Sequence, residues 1–102
     1  MTVTTSRSGS ELFIKVDGRV DPVTSRTLEE ELDKVLTDEV RQLTMELSGC
    51  EYISSSGLRV LIFLFKKMNG NGRRLIFKNP GEFVTEVLEI SGLMRYFTIE
   101  YD

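Results

Sequence analysis

The chain contains no histidine and only one cysteine among its 102 residues. Without histidine, the usual general base for a serine nucleophile and the nitrogen ligands of most zinc sites are missing. The single cysteine, Cys50, has no second thiol with which to form an internal disulfide, and a free cysteine of this kind is usually a small buried hydrophobe. These absences argue against histidine-dependent hydrolysis, most zinc chemistry and a disulfide framework.

Long apolar segments and blocks of one charge are also missing. The apolar run 58–65 is far too short to span a bilayer and is followed by Lys66 and Lys67. The first ten residues, MTVTTSRSGS, lack the basic segment and apolar core of a secretory signal. The 16 acidic and 13 basic residues are interspersed and give a net charge of −3, so no basic stripe faces nucleic-acid phosphates. We therefore expect a cytoplasmic protein that binds neither nucleic acid nor membrane.

What the sequence does contain is typical of a folded globular chain, with 40% hydrophobic and 28% charged residues. At this length the chain can bury one core but not two, which predicts a single domain over residues 1–102. Leu12, Ile14 and Val16 recur at every second position in 11–17, and apolar and polar residues alternate in 43–48, as in half-buried strands; apolar residues recur at helical spacing in 23–36. The remaining predicted elements are a strand at 2–5, a helix at 58–68, a strand at 73–79, a helix at 80–93 and a strand at 96–101.

This order of elements predicts the fold class. Strands that alternate with helices need crossover connections and pair largely in parallel, whereas the two N-terminal strands, joined by the turn-like SRSGS, form an antiparallel hairpin. DGRVDP, residues 17–22, is interpreted as a turn before the first helix. Three strands carry polar residues on one face, so the helices are expected mainly on the other. The prediction is an α/β domain with a mixed, mostly parallel sheet.

Three consecutive serines and a glycine, Ser54 to Gly57, precede the most apolar predicted helix. One serine is enough to cap a helix, and such a cap contributes about 1 kcal/mol. A cap explains neither the additional hydroxyl groups nor Gly57, since glycine in a helix costs up to ~1 kcal/mol relative to alanine. A helix N terminus also favours anions, so a phosphoryl group on one of these serines is locally compatible. The run therefore indicates either plain capping or a modified serine.

Catalytic motifs are missing around these serines. No G-x-S-x-G elbow surrounds them, and the nearest lysines lie beyond the predicted helix. The segment GNGRR follows a helix instead of opening one, which is typical of a turn and not of a phosphate-binding loop. The acidic residues Glu29 to Glu31 fall on a solvated helical face. We therefore predict that the protein is not an enzyme and carries no metal or cofactor.

Three motifs together resemble the STAS family, specifically the small bacterial anti-sigma factor antagonists. They are VDGRVDPVTSRTLEEEL, then LSGCEYISSSGLRVLI, then GRRLIFKNPGEFVTEVLEISGLMRYFTI, in this order over nearly the whole chain. The resemblance implies a mixed sheet with helices packed beside it. It also implies a partner, an anti-sigma factor that is a serine kinase, whose capture releases a sigma factor.

The resemblance further implies a phosphorylation switch at Ser55, with Ser54 and Ser56 as rival acceptors. The kinase partner adds the phosphoryl group, which ends binding, and a metal-dependent serine phosphatase removes it. By the same resemblance, the partner surface consists of Asp21, Ser54, Ser55, Ser56, Gly57, Leu58 and Arg59.

Two features leave alternatives open. Ser54 stands where many family members have aspartate, so a negative charge beside the acceptor is missing and recognition by kinase or phosphatase can differ. Asp21 matches a position where the family often has an acid near the partner surface, yet it can equally cap the first helix, with Pro22 at the first helical position. The alternative function is a constitutive STAS subunit of a transporter or signalling assembly, in which the serines are plain caps.

Overall fold

The computed structural model describes residues 1–102 and contains six strands, three α-helices and one short 3₁₀ turn. In chain order these are β1 (Thr2–Ser8), β2 (Glu11–Val20), α1 (Thr24–Val35), β3 (Gln42–Glu46), β4 (Cys50–Ile53), α2 (Ser55–Gly70), β5 (Arg74–Lys78), α3 (Glu82–Ile90), the 3₁₀ turn (Leu93–Arg95) and β6 (Thr98–Glu100).

The strands form a mixed sheet in the order β1-β2-β3-β5-β6, with β4 paired to β2 beside this path. β1 and β2 are antiparallel, and every other pairing is parallel. The hairpin turn between β1 and β2 contains Gly9, whose positive φ of 62° suits glycine. The predicted mixed, mostly parallel sheet with an N-terminal hairpin is therefore confirmed.

The hydrophobic core lies on one face of the sheet. Ile14, Met45 and Phe77 form one row across β2, β3 and β5, and all three are at most 2% exposed. The helices cover this row, with Leu28 of α1 and Leu61 of α2 each 1% exposed. The opposite face carries a row of alternating charge, formed across the strands by Lys15, Glu46, Lys78 and Glu100. The prediction that the helices pack mainly on one face is confirmed.

The strand β4 was missed by the sequence analysis, and the interpretation of DGRVDP as a turn was wrong for its first part. Residues 18–20 continue β2 and pair with β4, beyond the point where pairing with β3 ends at Lys15. The register shifts between Gly18 and Arg19, and Gly18 has a φ of 98°. This irregularity lets β2 exchange one parallel neighbour for another.

Some predicted boundaries also differ from the structure. Helix α2 begins at Ser55 instead of Leu58, and it is not buried all round, because Phe63 is 68% exposed. The last strand is shorter than predicted, since Tyr96 and Phe97 form a turn and only Thr98–Glu100 pair with β5. None of the helices has the length and apolar character that crossing a bilayer requires.

Candidate functional site

The serine run lies where two parallel strands end at the same edge of the sheet. The backbone N–H of Ser54 donates to the carbonyl of Val20 at 2.8 Å, so the end of β4 is joined to the end of β2. Because β2 leads into Asp21 and α1, the parallel pairing brings Asp21 and the serine run to one edge. The family resemblance implies one partner surface that includes both, and Asp21 directly follows Val20, the residue to which Ser54 is bonded.

Ser54 is the N-cap of α2. Its backbone is extended, and its Oγ accepts a hydrogen bond from the backbone N–H of Gly57 at 3.2 Å. The residue is only 8% exposed. Phosphorylation of Ser54 would expose its buried side chain and break its capping hydrogen bond. Both changes disfavour Ser54 as the rival phosphorylation site.

Ser55 and Ser56 differ from Ser54 in exposure. Ser55 is the first residue of α2 and is exposed, while Ser56 is half-buried and faces the neighbouring helix α1. Unlike the hydroxyl of Ser54, neither of these hydroxyl groups takes part in a hydrogen bond within the protein. Ser55 thus has the most accessible side chain of the three.

Gly57 and Leu58 have packing roles that the sequence analysis did not assign. A Cβ atom at Gly57 would lie 2.7 Å from Val20 Cγ1 and 2.8 Å from Ile53 Cγ1, distances that real Cβ atoms essentially never show. Gly57 is therefore packed closely against side chains of the protein's own core. Leu58 is half-buried and packs against the same core. Direct contact of a partner with Ser54 or Gly57 is not supported, since both are buried.

Asp21 makes the capping hydrogen bonds of helix α1. Its Oδ1 accepts from the backbone N–H of Val23 at 2.9 Å and of Thr24 at 2.8 Å, and it also contacts the Thr24 hydroxyl. These bonds, the backbone bond from Thr24 above all, lower the pKa of the Asp21 carboxyl below its ordinary value of 3.8. Asp21 remains partly exposed, so capping and contact with a partner are compatible.

We expect Asp21→Ala to lower the melting temperature by about 4 °C at neutral pH, the usual effect of a lost cap in a domain of this size. Because the folded-state pKa is depressed, the contribution of the Asp21 carboxylate is present above pH 3.8 and is lost as the pH falls through the lower folded value. Thermal unfolding of wild type and Asp21→Ala at a series of pH values should therefore show a difference in melting temperature that becomes smaller in acid. Asp21→Asn, whose side-chain oxygen can still cap, is the matched control. A difference in melting temperature that stays constant down to the lowest pH would contradict the capping role of the Asp21 carboxylate.

A groove of about 450 Å³ lies between α1 and α2 beside the serines. Residues from both helices line it, namely Ser25, Arg26 and Glu29 of α1 and Ser56, Arg59 and Phe63 of α2. Arg59, which was predicted to contact a partner, is exposed here. Arg26 and Phe63 were missed by the sequence analysis, because neither helix shows alone which residue of the other it faces.

A second missed feature is an aromatic stack beside the same edge. The Arg19 guanidinium lies 4.2 Å from the centroid of the Tyr52 ring, and the Tyr52 ring lies 5.2 Å from that of Phe83 on α3. Arg19 is exposed and Phe83 is 43% exposed. Only the pairing of β2 with β4 places Arg19 opposite Tyr52, and β4 was not predicted from the sequence.

The single thiol lies away from this surface. Cys50 is 4% exposed, and burial raises the pKa of its thiol. The expectation of a small buried hydrophobe is confirmed. No group of three or more cysteine, aspartate or glutamate side chains is arranged to hold a metal ion.

This fold, with a helix that begins in a serine run at the edge of a mixed sheet, is that of a STAS domain. The family model of the STAS domain matches residues 2–102, and the chain belongs to this family.

Relatives and solved structures agree with this family. BtrV of Bordetella bronchiseptica, which carries the name anti-sigma factor antagonist, is 29% identical over 99 residues, 97% of this chain and 85% of that protein. The anti-sigma-B factor antagonist of Staphylococcus aureus is 30% identical over 80 residues, 78% of this chain and 74% of that protein. The anti-sigma factor antagonist SpoIIAA in its unphosphorylated form has a TM-score of 0.82 at 16% identity, covering 97% of this chain and 88% of that one. Phosphorylated SpoIIAA of Bacillus has a TM-score of 0.77 at 15% identity, covering 97% and 91%.

Proposed function

We propose that this protein is an anti-sigma factor antagonist. It binds an anti-sigma factor that is also a serine kinase, releases the sigma factor, and is switched off by phosphorylation at Ser55. The names of the relatives in Bordetella bronchiseptica and Staphylococcus aureus support the antagonist role. The observation that carries the switch is the contrast within the serine run: Ser54 is buried as a cap, whereas Ser55 is exposed and its hydroxyl is unbonded.

The partner surface consists of the exposed and half-exposed groups at this edge. It includes Ser55, Ser56 and Arg59 on α2, and Asp21 before α1. Asp21 and Arg59 supply one charge of each sign, which favours a partner with complementary charges. Beneath this surface lie Ser54 and Gly57, which are buried, and Leu58, which is half-buried.

The switch works by local electrostatics. A phosphoryl group adds about −1.5 to −2 charges at neutral pH. In the complex this charge must be desolvated or must face acidic groups of the partner, and a penalty of only ~3 kcal/mol weakens binding about a hundredfold. SpoIIAA has been solved both unphosphorylated and phosphorylated, and both forms match the fold of this chain. This likeness supports a switch in which the phosphoryl group is accommodated without refolding.

Reversal of the switch requires a phosphatase, which we propose to be metal-dependent. Ser54 stands in the place of the family's usual aspartate, so the acceptor has no carboxylate immediately before it. The chain supplies arginines nearby instead, at positions 19, 26 and 59. A kinase and a phosphatase that act here should accordingly recognise a more basic surface.

Mass spectrometry of the protein isolated from its native cells tests this function. Intact masses and the peptides that cover residues 50–67 are compared between growing and stressed cells. A phosphoryl group on Ser55 whose occupancy changes with the condition, and whose mass increment is absent in Ser55→Ala, supports the switch. Complete coverage of these residues without modification in either condition would favour the constitutive subunit instead.

A further inference from the structure

Two arginine side chains, one on each helix, line the groove between α1 and α2 without an ionic partner in the protein. Arg59 lies on α2, Arg26 lies on α1, and both line the groove that Ser56 also lines. The protein's ion pairs all use other cations. Both arginines are exposed, and each guanidinium offers five N–H donors. The groove therefore presents two positive groups that form no ion pair, with one acidic side chain, Glu29, in the same lining.

Arg59 is placed to reach back over the proposed phosphorylation site. Ser55 and Arg59 are four residues apart on one helix, and Ser56 and Arg59 are three apart, so all three side chains share one side of α2. Side chains on an α-helix lean toward its N terminus, which directs the long Arg59 side chain from the second turn toward the first. A guanidinium binds a phosphate through paired, charge-assisted hydrogen bonds.

We propose that Arg59 holds the phosphoryl group of phosphorylated Ser55, with Arg26 closing the same anion site from α1. This inference rests on the proposed function, because it needs a phosphoryl group on Ser55. Its consequence is regulatory. Once Arg59 binds the phosphoryl group, it is no longer available to pair with an acidic group of the anti-sigma factor. Phosphorylation thus removes a positive contact from the partner surface while it adds negative charge.

The other charged groups around this site have opposing effects. Glu29 of α1 lines the groove, Asp21 precedes α1, and Glu51 lies on β4, and all three disfavour a doubly charged phosphate. The Asp21 carboxylate already accepts backbone hydrogen bonds at the start of α1. Arg19 adds a third positive group, although it is engaged over the Tyr52 ring. Arg59 is the cation on Ser55's own face of α2, so its removal should dominate.

Phosphoserine placed at position 55 during translation tests the site without a kinase or a partner. The phosphate is titrated by ³¹P NMR from about pH 4 to about pH 8, a range that brackets its ordinary second pKa of ~6. We expect that pKa to lie at least about half a pH unit below the value for the same chain unfolded in urea, because nearby cations favour the doubly charged form. Arg59→Gln should return it most of the way to the unfolded value, and Arg26→Gln should return it by a smaller amount.

Two further variants separate a specific contact from general effects. Arg59→Lys keeps the charge and should retain part of the lowered pKa. Arg74→Gln makes the same change of charge at the start of β5, at the opposite end of the sheet from the serines, and should leave the pKa unchanged. Equal phosphate pKa values in wild type and Arg59→Gln would overturn the proposal, since the helix N terminus alone would then account for any shift. Because no partner is present in this experiment, that outcome would not contradict the proposed function, which the Ser55 variants test separately.

Discussion

Ser55→Asp is expected to weaken binding to the anti-sigma factor at least about tenfold, and phosphorylated Ser55 about a hundredfold, whereas Ser55→Ala should bind within about threefold of wild type. The physical reason is that an exposed, unbonded hydroxyl can pack against a partner at little cost, while a charge at the same position must lose its water. Isothermal titration calorimetry with the purified anti-sigma factor measures all three affinities. The aspartate effect should be the smaller one, because a carboxylate carries one charge and fewer acceptor oxygens than a phosphate.

Ser8→Asp is the matched control for this experiment. Ser8 is an exposed serine at the end of β1, at the opposite edge of the sheet from the serine run, and its replacement makes the same chemical change. It should leave the affinity unaltered. If Ser55→Asp and Ser55→Ala bind equally well, charge at this position does not control the complex. If Ser56→Asp rather than Ser55→Asp weakens binding, the position at which charge controls the complex is the neighbouring serine that faces the groove.

Gly57→Ala should lower the free energy of unfolding by about 1–3 kcal/mol, even though alanine is the better helix former by up to ~1 kcal/mol. The added methyl group would overlap Val20 Cγ1 and Ile53 Cγ1, both at less than 3.0 Å. These two side chains are 1% and 5% exposed, so they have little room to move aside. Relief of the overlap would require the first turn of α2, which carries Ser55, to move away from the sheet.

Gly70→Ala, at the other end of the same helix, is the control for Gly57→Ala. A Cβ atom at Gly70 would meet no atom within 4 Å, so the substitution should be neutral or stabilising by up to ~1 kcal/mol. Urea unfolding measures both variants against wild type. If the two variants are equally stable, the tight packing at Gly57 does not contribute to stability. A loss confined to Gly57→Ala, accompanied by weaker partner binding, would connect this packing to the position of Ser55.

Periodicity predicted much of the fold because burial on one face is a local property of the sequence. Leu12, Ile14 and Val16 recur at every second position, and this pattern of period two is found in β2 as a buried face, with Phe13 and Lys15 on the exposed one. Leu28 and Leu32 follow the helical period and are the buried leucines of α1. Such patterns need no information about distant residues, so β2 and α1 could be identified from the sequence.

The strand β4 could not be predicted in the same way. CEYI has only four residues, and its buried positions, Cys50 and Ile53, are three apart instead of two. What makes this segment a strand is its pairing with residues 18–20 of β2, more than thirty positions earlier. That pairing depends on the positive φ of Gly18, where the register shifts. Because the sequence does not show this pairing, DGRVDP, residues 17–22, was interpreted as a turn.

The sequence by itself determined the family, the order of all elements except β4 and the 3₁₀ turn, and the serine run as the candidate switch. These follow from short motifs and local periods, which act over a few residues. Only the tertiary structure decided which serine is buried and which is exposed, and why residue 57 must be glycine. It also brought Arg26 from α1 beside Arg59 of α2, although 33 positions separate them in the sequence. The burial and the charge at this edge are set by the contacts among β2, β4, α1 and α2. These contacts depend on packing between segments that are distant in the sequence, which no local pattern encodes.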